Sequence, residues 1–133
     1  MPVKTLLLAI TMALALPLLF GSALAQERWA AIVPNEENSS TVVRATTKDQ
    51  AEQLAIDACQ RVSDTCASRA ATTDGMNNYF AIMCCTQPRM GCAAGVASTK
   101  RKALNEVKSI FSDEGFKNCS LKNYIKARTG EKS

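Results

Sequence analysis

Hydrophobic positions along this chain fall into three patterns, and each predicts a different kind of segment. The first is continuous. From Leu6 to Phe20 nearly every residue is apolar, with Lys4 and Thr5 just before the run and the small-residue stretch Gly21-Ser22-Ala23-Leu24-Ala25 just after it. A basic start, an apolar run and a small-residue box are the three parts of a secretory signal. Pro17 interrupts the run, which falls short of the roughly 20 apolar residues a membrane-spanning helix needs, so a cleaved signal is the stronger reading than a retained anchor. Cleavage is expected after Ala25, leaving residues 26–133 as a single domain, with no membrane association once the signal is gone.

The second pattern has the period of a helix. Ala51, Leu54, Ala55, Ala58 and Cys59 recur at i, i+3, i+4, i+7 and i+8, one face of a helix, and Thr47 followed by Gln50 fits a capping box at its start. Further on, Ala103, Val107, Ile110 and Phe111 occupy the matching places. Only the Leu54 position departs, becoming Glu106, while Leu104 supplies bulk from beside the stripe.

The third pattern is a set of short strand-like runs. Trp29 to Val33 and Thr41 to Thr46 precede the first helix, and Tyr79 to Cys85 and Cys92 to Ala97 precede the second. Cys66 to Thr72 and Cys119 to Ala127 follow the helices, and a turn over Asp74 to Asn78 joins the halves. Arg44-Ala45-Thr46-Thr47-Lys48 is echoed by Val96-Ala97-Ser98-Thr99-Lys100, so the chain carries an internal repeat of strand, strand, helix, strand, spanning about residues 28–73 and 78–127. Neither copy can bury its helix stripe against a few short strands alone. The expected fold is therefore α+β, with both repeats sharing one mostly antiparallel sheet and two helices packed on it.

Cysteine usage sharpens this picture. All six cysteines, Cys59, Cys66, Cys84, Cys85, Cys92 and Cys119, follow the signal, an even number in a chain addressed to an oxidising compartment. Disulfides are the expected state. Cys59 ends the first helix and Cys66 opens the next strand, which suits a bridge. Cys85 and Cys92 flank a tight loop and suit a hairpin staple, and strand alternation then turns Cys84 away from Cys85 toward Cys119. Three connectivities are open to those last four cysteines, and this is one of them.

The Trp29-Ala30-Ala31-Ile32 opening, the Ala-rich helix ending in Ala58-Cys59, the following Cys66 and the Cys92-Ala93-Ala94 strand resemble the bacterial secreted family catalogued as domain of unknown function 4189. The resemblance runs from Trp29 to about Tyr124. Family members often repeat the helix-end cysteine in the second copy, whereas Phe111 stands there in this chain and leaves Cys119 without a local partner. The resemblance implies export, a compact α+β fold and disulfides. It carries no catalytic residues.

Composition narrows the chemistry. The chain has no histidine, which removes the commonest general base, the Ser-His and Cys-His pairs and the usual zinc sets. Glu36-Glu37 and Asp113-Glu114 read as solvent-exposed loop charges in preference to paired catalytic carboxylates. Adjacent Cys84-Cys85 suits neither a zinc knuckle nor a Cys-x-x-Cys dithiol. The net charge of +4 is spread along the chain, its densest cluster Lys100-Arg101-Lys102 reading as a solvated helix face, and one Trp and two Tyr offer little for base stacking. No cofactor, metal or nucleic acid is expected, and no enzyme activity.

The expected role is an exported non-catalytic binding protein, periplasmic or secreted, whose partner is another protein: an immunity protein, or an inhibitor of a toxin or hydrolase. The alternative is a secreted effector or toxin acting on a host or competitor. Within the loop Thr86 to Gly91, the residues Gln87, Arg89 and Met90 are the candidate partner contact. A staple at the loop's base would hold it rigid and lower the entropy lost on binding. An ordinary Pro88-shaped hairpin turn is the plainer reading of the same residues. Oligomeric state is left open.

Protein recovered from the periplasm or medium is expected to begin at Gln26, because Ala23 and Ala25 supply the small residues that signal peptidase reads. Intact-mass measurement checks this, and a mass retaining residues 1–25 contradicts it.

Overall fold

The computed structural model describes residues 26–133; the expected signal lies outside the described residues. The first unit consists of β1 (Trp29–Ile32), β2 (Val43–Ala45), α1 (Lys48–Gln60) and β3 (Ala71–Thr73). The second repeats that order with β4 (Tyr79–Gln87), β5 (Gly91–Ala97), α2 (Lys100–Asp113) and β6 (Lys117–Lys126). In each unit the first strand lies in the middle of a three-stranded antiparallel sheet, in the orders β2-β1-β3 and β5-β4-β6.

The α+β class, the two packed helices and the disulfide stapling are as the sequence predicts, but the single shared sheet is not. There are two sheets, stacked face to face with a helix outside each. The reason lies in β1 and β4, whose successive side chains point to opposite faces and are apolar on both. Ala31 and Val33 meet Ala51, Ala55 and Cys59 of α1, whereas Ala30 and Ile32 meet Phe80, Ile82, Ile125 and Ala127 of the second unit. On the far side, Ala81, Met83 and Cys85 meet Ala103, Val107 and Phe111 of α2. The layers therefore run helix, sheet, sheet, helix. A single wide sheet would have left one apolar face of each central strand in water. Burying Ile32, Phe80, Ile82 and Ile125 between the sheets instead contributes about 1.5 to 3 kcal/mol for each side chain.

Both helices start on the same device. Thr47 Oγ1 accepts a hydrogen bond from the Gln50 N–H at 3.2 Å, and Thr99 Oγ1 accepts one from the Lys102 N–H at 3.2 Å. Each then buries its i, i+4, i+8 row against its own sheet. Leu54, expected in the buried stripe, is instead 46% exposed. A helix resting closely on small residues buries a narrow row, and the i+3 position falls outside it. Glu106 is exposed as well, so the one place where the repeats disagree is a place where both copies meet solvent.

Cys59 bonds Cys66 as the spacing predicts, but the other two pairs are exchanged: Cys84 bonds Cys92, and Cys85 bonds Cys119. Strand register decides this. Cys84 lies directly opposite Cys92 on one side of β4, and Cys85 lies opposite Cys119 on the other. Alternation does send the adjacent cysteines to different partners, but the hairpin closes with Cys85 opposite Gly91, so Cys84 is the one aligned with Cys92. By the chain-entropy estimate, the bridge from Cys85 to Cys119, 34 residues apart, stabilises by about 4 kcal/mol, and each short bridge by about 2 to 2.5 kcal/mol.

The contact between α2 and its sheet depends on Gly95 in β5, where a Cβ would lie 2.2 Å from the Ala103 carbonyl oxygen and 2.6 Å from the Val107 nitrogen. Backbone cannot move aside as a side-chain tip can. Gly95→Ala is expected to cost at least about 1 to 3 kcal/mol, lowering Tm by at least several degrees in a thermal melt, whereas Asn105→Ala on the exposed face of α2 should change it little.

Candidate functional site

Polar and covalent ties fix the two walls of one groove. The first wall is the β4–β5 hairpin, whose tip is Pro88-Arg89-Met90 and whose base is crossed by the Cys84–Cys92 bridge. The Arg89 guanidinium lies 5.2 Å from the centre of the Phe116 ring, and that ring meets Phe111 edge-on at 5.2 Å. Phe116 follows Gly115, whose φ of +76° ends α2 in a conformation that favours glycine. The chain then turns back so that the Phe116 N–H bonds the Phe111 carbonyl. Hairpin tip and helix end thus lean on each other through one aromatic ring.

The opposite wall is the irregular segment between α1 and β3. The Cys59–Cys66 bridge holds it at one point, and the Ala67 N–H donates to the Pro34 carbonyl at 2.8 Å. The Glu36 N–H donates to Thr65 Oγ1, and the Glu37 carboxylate accepts from Ser63 Oγ at 2.7 Å and Thr65 Oγ1 at 2.6 Å. Those hydroxyl donors stabilise the ionised form and hold the Glu37 carboxyl below the ordinary glutamate range. Glu36-Glu37 is therefore more than a pair of loop charges, since Glu37 ties the Pro34 to Ser40 turn to the groove wall.

Beneath that turn lies Asn35, fully buried. Its Nδ2 donates to Ser39 Oγ and Ser40 Oγ at 3.0 Å each, its Oδ1 accepts the Ser39 N–H at 3.0 Å, and Ser40 Oγ donates to the Val33 carbonyl. The network satisfies a polar side chain in a place where an unpaired one would be costly. Sequence reading missed Asn35; its signal was an Asn directly after Pro34 in a turn-rich segment.

Between the walls is a groove of ≈ 960 Å³, at the upper end of the range for small-ligand sites. Its floor is Gly91 to Ala94 of β5, its sides are Ser68 to Ala71 and the pair Arg89 and Met90, and Ile110 and Phe116 close the α2 end. Of the predicted contacts, Arg89 and Met90 face this groove, Met90 being 45% exposed, while Gln87 ends β4 opposite Lys117 outside the lining. Arg69 and Phe116 were not anticipated, because nothing in their local sequence shows that they converge with the hairpin, and Ile110, expected in the buried stripe of α2, is instead 36% exposed and lines the groove.

The groove is lined by side chains of mixed character. Both of its cysteines, Cys66 and Cys92, are oxidised, Ser68 has no histidine anywhere in the chain to activate it, and its charges are of both signs, Arg69 and Arg89 with Glu36, Asp64 and Glu114. Among the described residues no group of three or more His, Cys, Asp or Glu is placed to hold a metal ion, and no helix is long and apolar enough to cross a membrane. In the basic cluster at the start of α2, Lys100 Nζ sits 5.7 Å and 5.6 Å from the ring centres of Tyr79 and Tyr124, while Arg101 and Lys102 point to solvent. Comparison of the chain with family models, curated proteins and solved structures returns no match.

Glu37 gives this wall a pH dependence. A carboxyl held below its unfolded value stabilises the folded protein at neutral pH, and that contribution is lost as the pH falls through the lowered folded value. Glu37→Gln is expected to flatten the acid limb of a Tm-against-pH curve and leave the neutral-pH fold intact; an unchanged acid limb contradicts the tie.

Proposed function

We propose that the mature chain is an exported, non-catalytic binding protein that captures another protein, acting as an immunity protein or as an inhibitor of a toxin or hydrolase. The observation carrying this reading is the groove between two stapled walls, with Arg89 and Met90 on its rim. Rigid walls lower the entropy lost on association, so a modest contact area yields a larger share of its interaction energy as affinity. Arginine and methionine are enriched at protein interfaces, one as a planar hydrogen-bonding fork and the other as an adaptable apolar group. Three bridges and the N-terminal apolar run support a place in the periplasm or outside the cell, where disulfides persist.

The test is the double variant Arg89→Ala, Met90→Ala. Loss of the Arg89 contact with Phe116 should cost no more than about 1 kcal/mol of stability, so the variant is expected to fold. Immobilised parent and variant, exposed to the same envelope extract, should differ by at least tenfold in the amount of a specifically retained protein, as loss of an interface anchor requires. Equal retention by the two removes the hairpin rim from the site.

A further inference from the structure

We infer that the groove takes its partner as an added β-strand: an extended segment of another protein, apolar at alternate positions, pairing with the free edge of β5. This deepens the protein-binding reading above and rests on it.

The backbone supplies the first argument. Cys84 and Cys92 lie directly opposite each other with Cα atoms 4.1 Å apart, the close spacing of a non-hydrogen-bonded pair, about 4.5 Å against about 5.5 Å for a bonded one. Cys92, and Ala94 two residues on, therefore direct their N–H and C=O groups away from β4. That side of β5 pairs with no other strand among the described residues, and both residues line the groove. A row of alternating donors and acceptors at strand spacing matches one ligand class, an extended polypeptide backbone.

The contrast between the two edges of this sheet supplies the second. On β6 the chain covers the last three residues of its own edge: the Tyr124 N–H donates to the Ser133 carbonyl at 2.9 Å, the Ser133 N–H returns to the Tyr124 carbonyl at 2.8 Å, and the Lys126 N–H donates to the Glu131 carbonyl at 3.0 Å. On β5 nothing of the kind occurs among the described residues. Exposed edges are ordinarily protected by charges or proline, yet the Gly-Cys-Ala-Ala-Gly-Val-Ala strand has neither. Its small side chains also leave the floor of the groove open.

The walls then define the sequence preference. Ala93 belongs to the layer packed against α2 and Ala94 to the layer between the sheets, so an added strand projects alternate side chains to those same two sides. One set meets the apolar end of α2, with Ile110 and Phe116, and Met90 beside it. The other meets Ser68 to Ala71, where Arg69 suits polar or acidic residues.

Random heptapeptides displayed on phage, selected against the oxidised secreted protein, provide the test. Selected peptides should show apolar residues at alternate positions. N-methylation of one alternate set of backbone amides in a synthetic consensus peptide should weaken binding at least tenfold, with the intervening set tolerated. Amide exchange at Cys92 and Ala94 should slow on binding. Ala94→Pro, which removes an outward-facing N–H and no hydrogen bond to β4, should weaken binding at least tenfold, and the exchange and N-methyl measurements decide the matter if that variant, with its fixed φ, fails to fold. Failure to select any peptide, binders without alternation, protection confined to residues 64–71, or dimerisation of the chain through β5 would each overturn the inference. Loss of partner capture in the Arg89, Met90 double variant but not in Ala94→Pro would leave the protein-binding reading standing and strand addition refuted.

Discussion

The fold depends on one constraint, that the central strand of each unit is apolar on both faces. A strand with one apolar face needs one cover, but β1 and β4 need two each, and each unit carries a single helix. The remaining apolar face of each unit has only the other unit to cover it, so the repeats stack and share the layer around Phe80, Ile32, Ile82 and Ile125. Everything at the groove follows from that stacking, because it brings the segment before β3 alongside the β5 edge.

With layers this thin, the interior is built from alanine, glycine and cystine as much as from large side chains. Ala51 and Ala55 let α1 rest low on its sheet, and Gly95 does the same for α2. Such a core buries less apolar area per residue than one rich in leucine, and the three bridges offset that shortfall by restricting the unfolded chain. Two of them also immobilise the groove walls, so stabilisation of the fold and preorganisation of the site come from the same bonds.

The helices, the Thr47 cap, the hairpin and the repeat order were legible in the sequence because each depends on residues close together in the chain. Thr47 and Thr99 cap by reaching three residues ahead, and Cys59 and Cys66 are joined by a short return. Leu54 was misread because periodicity identifies an apolar face without its width, which depends on how closely the helix approaches its sheet. The pairing among Cys84, Cys85, Cys92 and Cys119 was misread because one residue of hairpin register exchanges the partners.

The sequence by itself determined the class of elements, their order, their repetition and the oxidised state of the cysteines, since propensity, periodicity and an even cysteine count act locally or on composition. Only the tertiary structure decided that the repeats stack instead of joining one sheet, which cysteine faces which, and that Arg69, Arg89, Met90, Ile110 and Phe116 surround a single open strand edge. These are outcomes of packing between segments far apart in the chain. Their energies depend on which surfaces meet, a quantity that no local pattern contains.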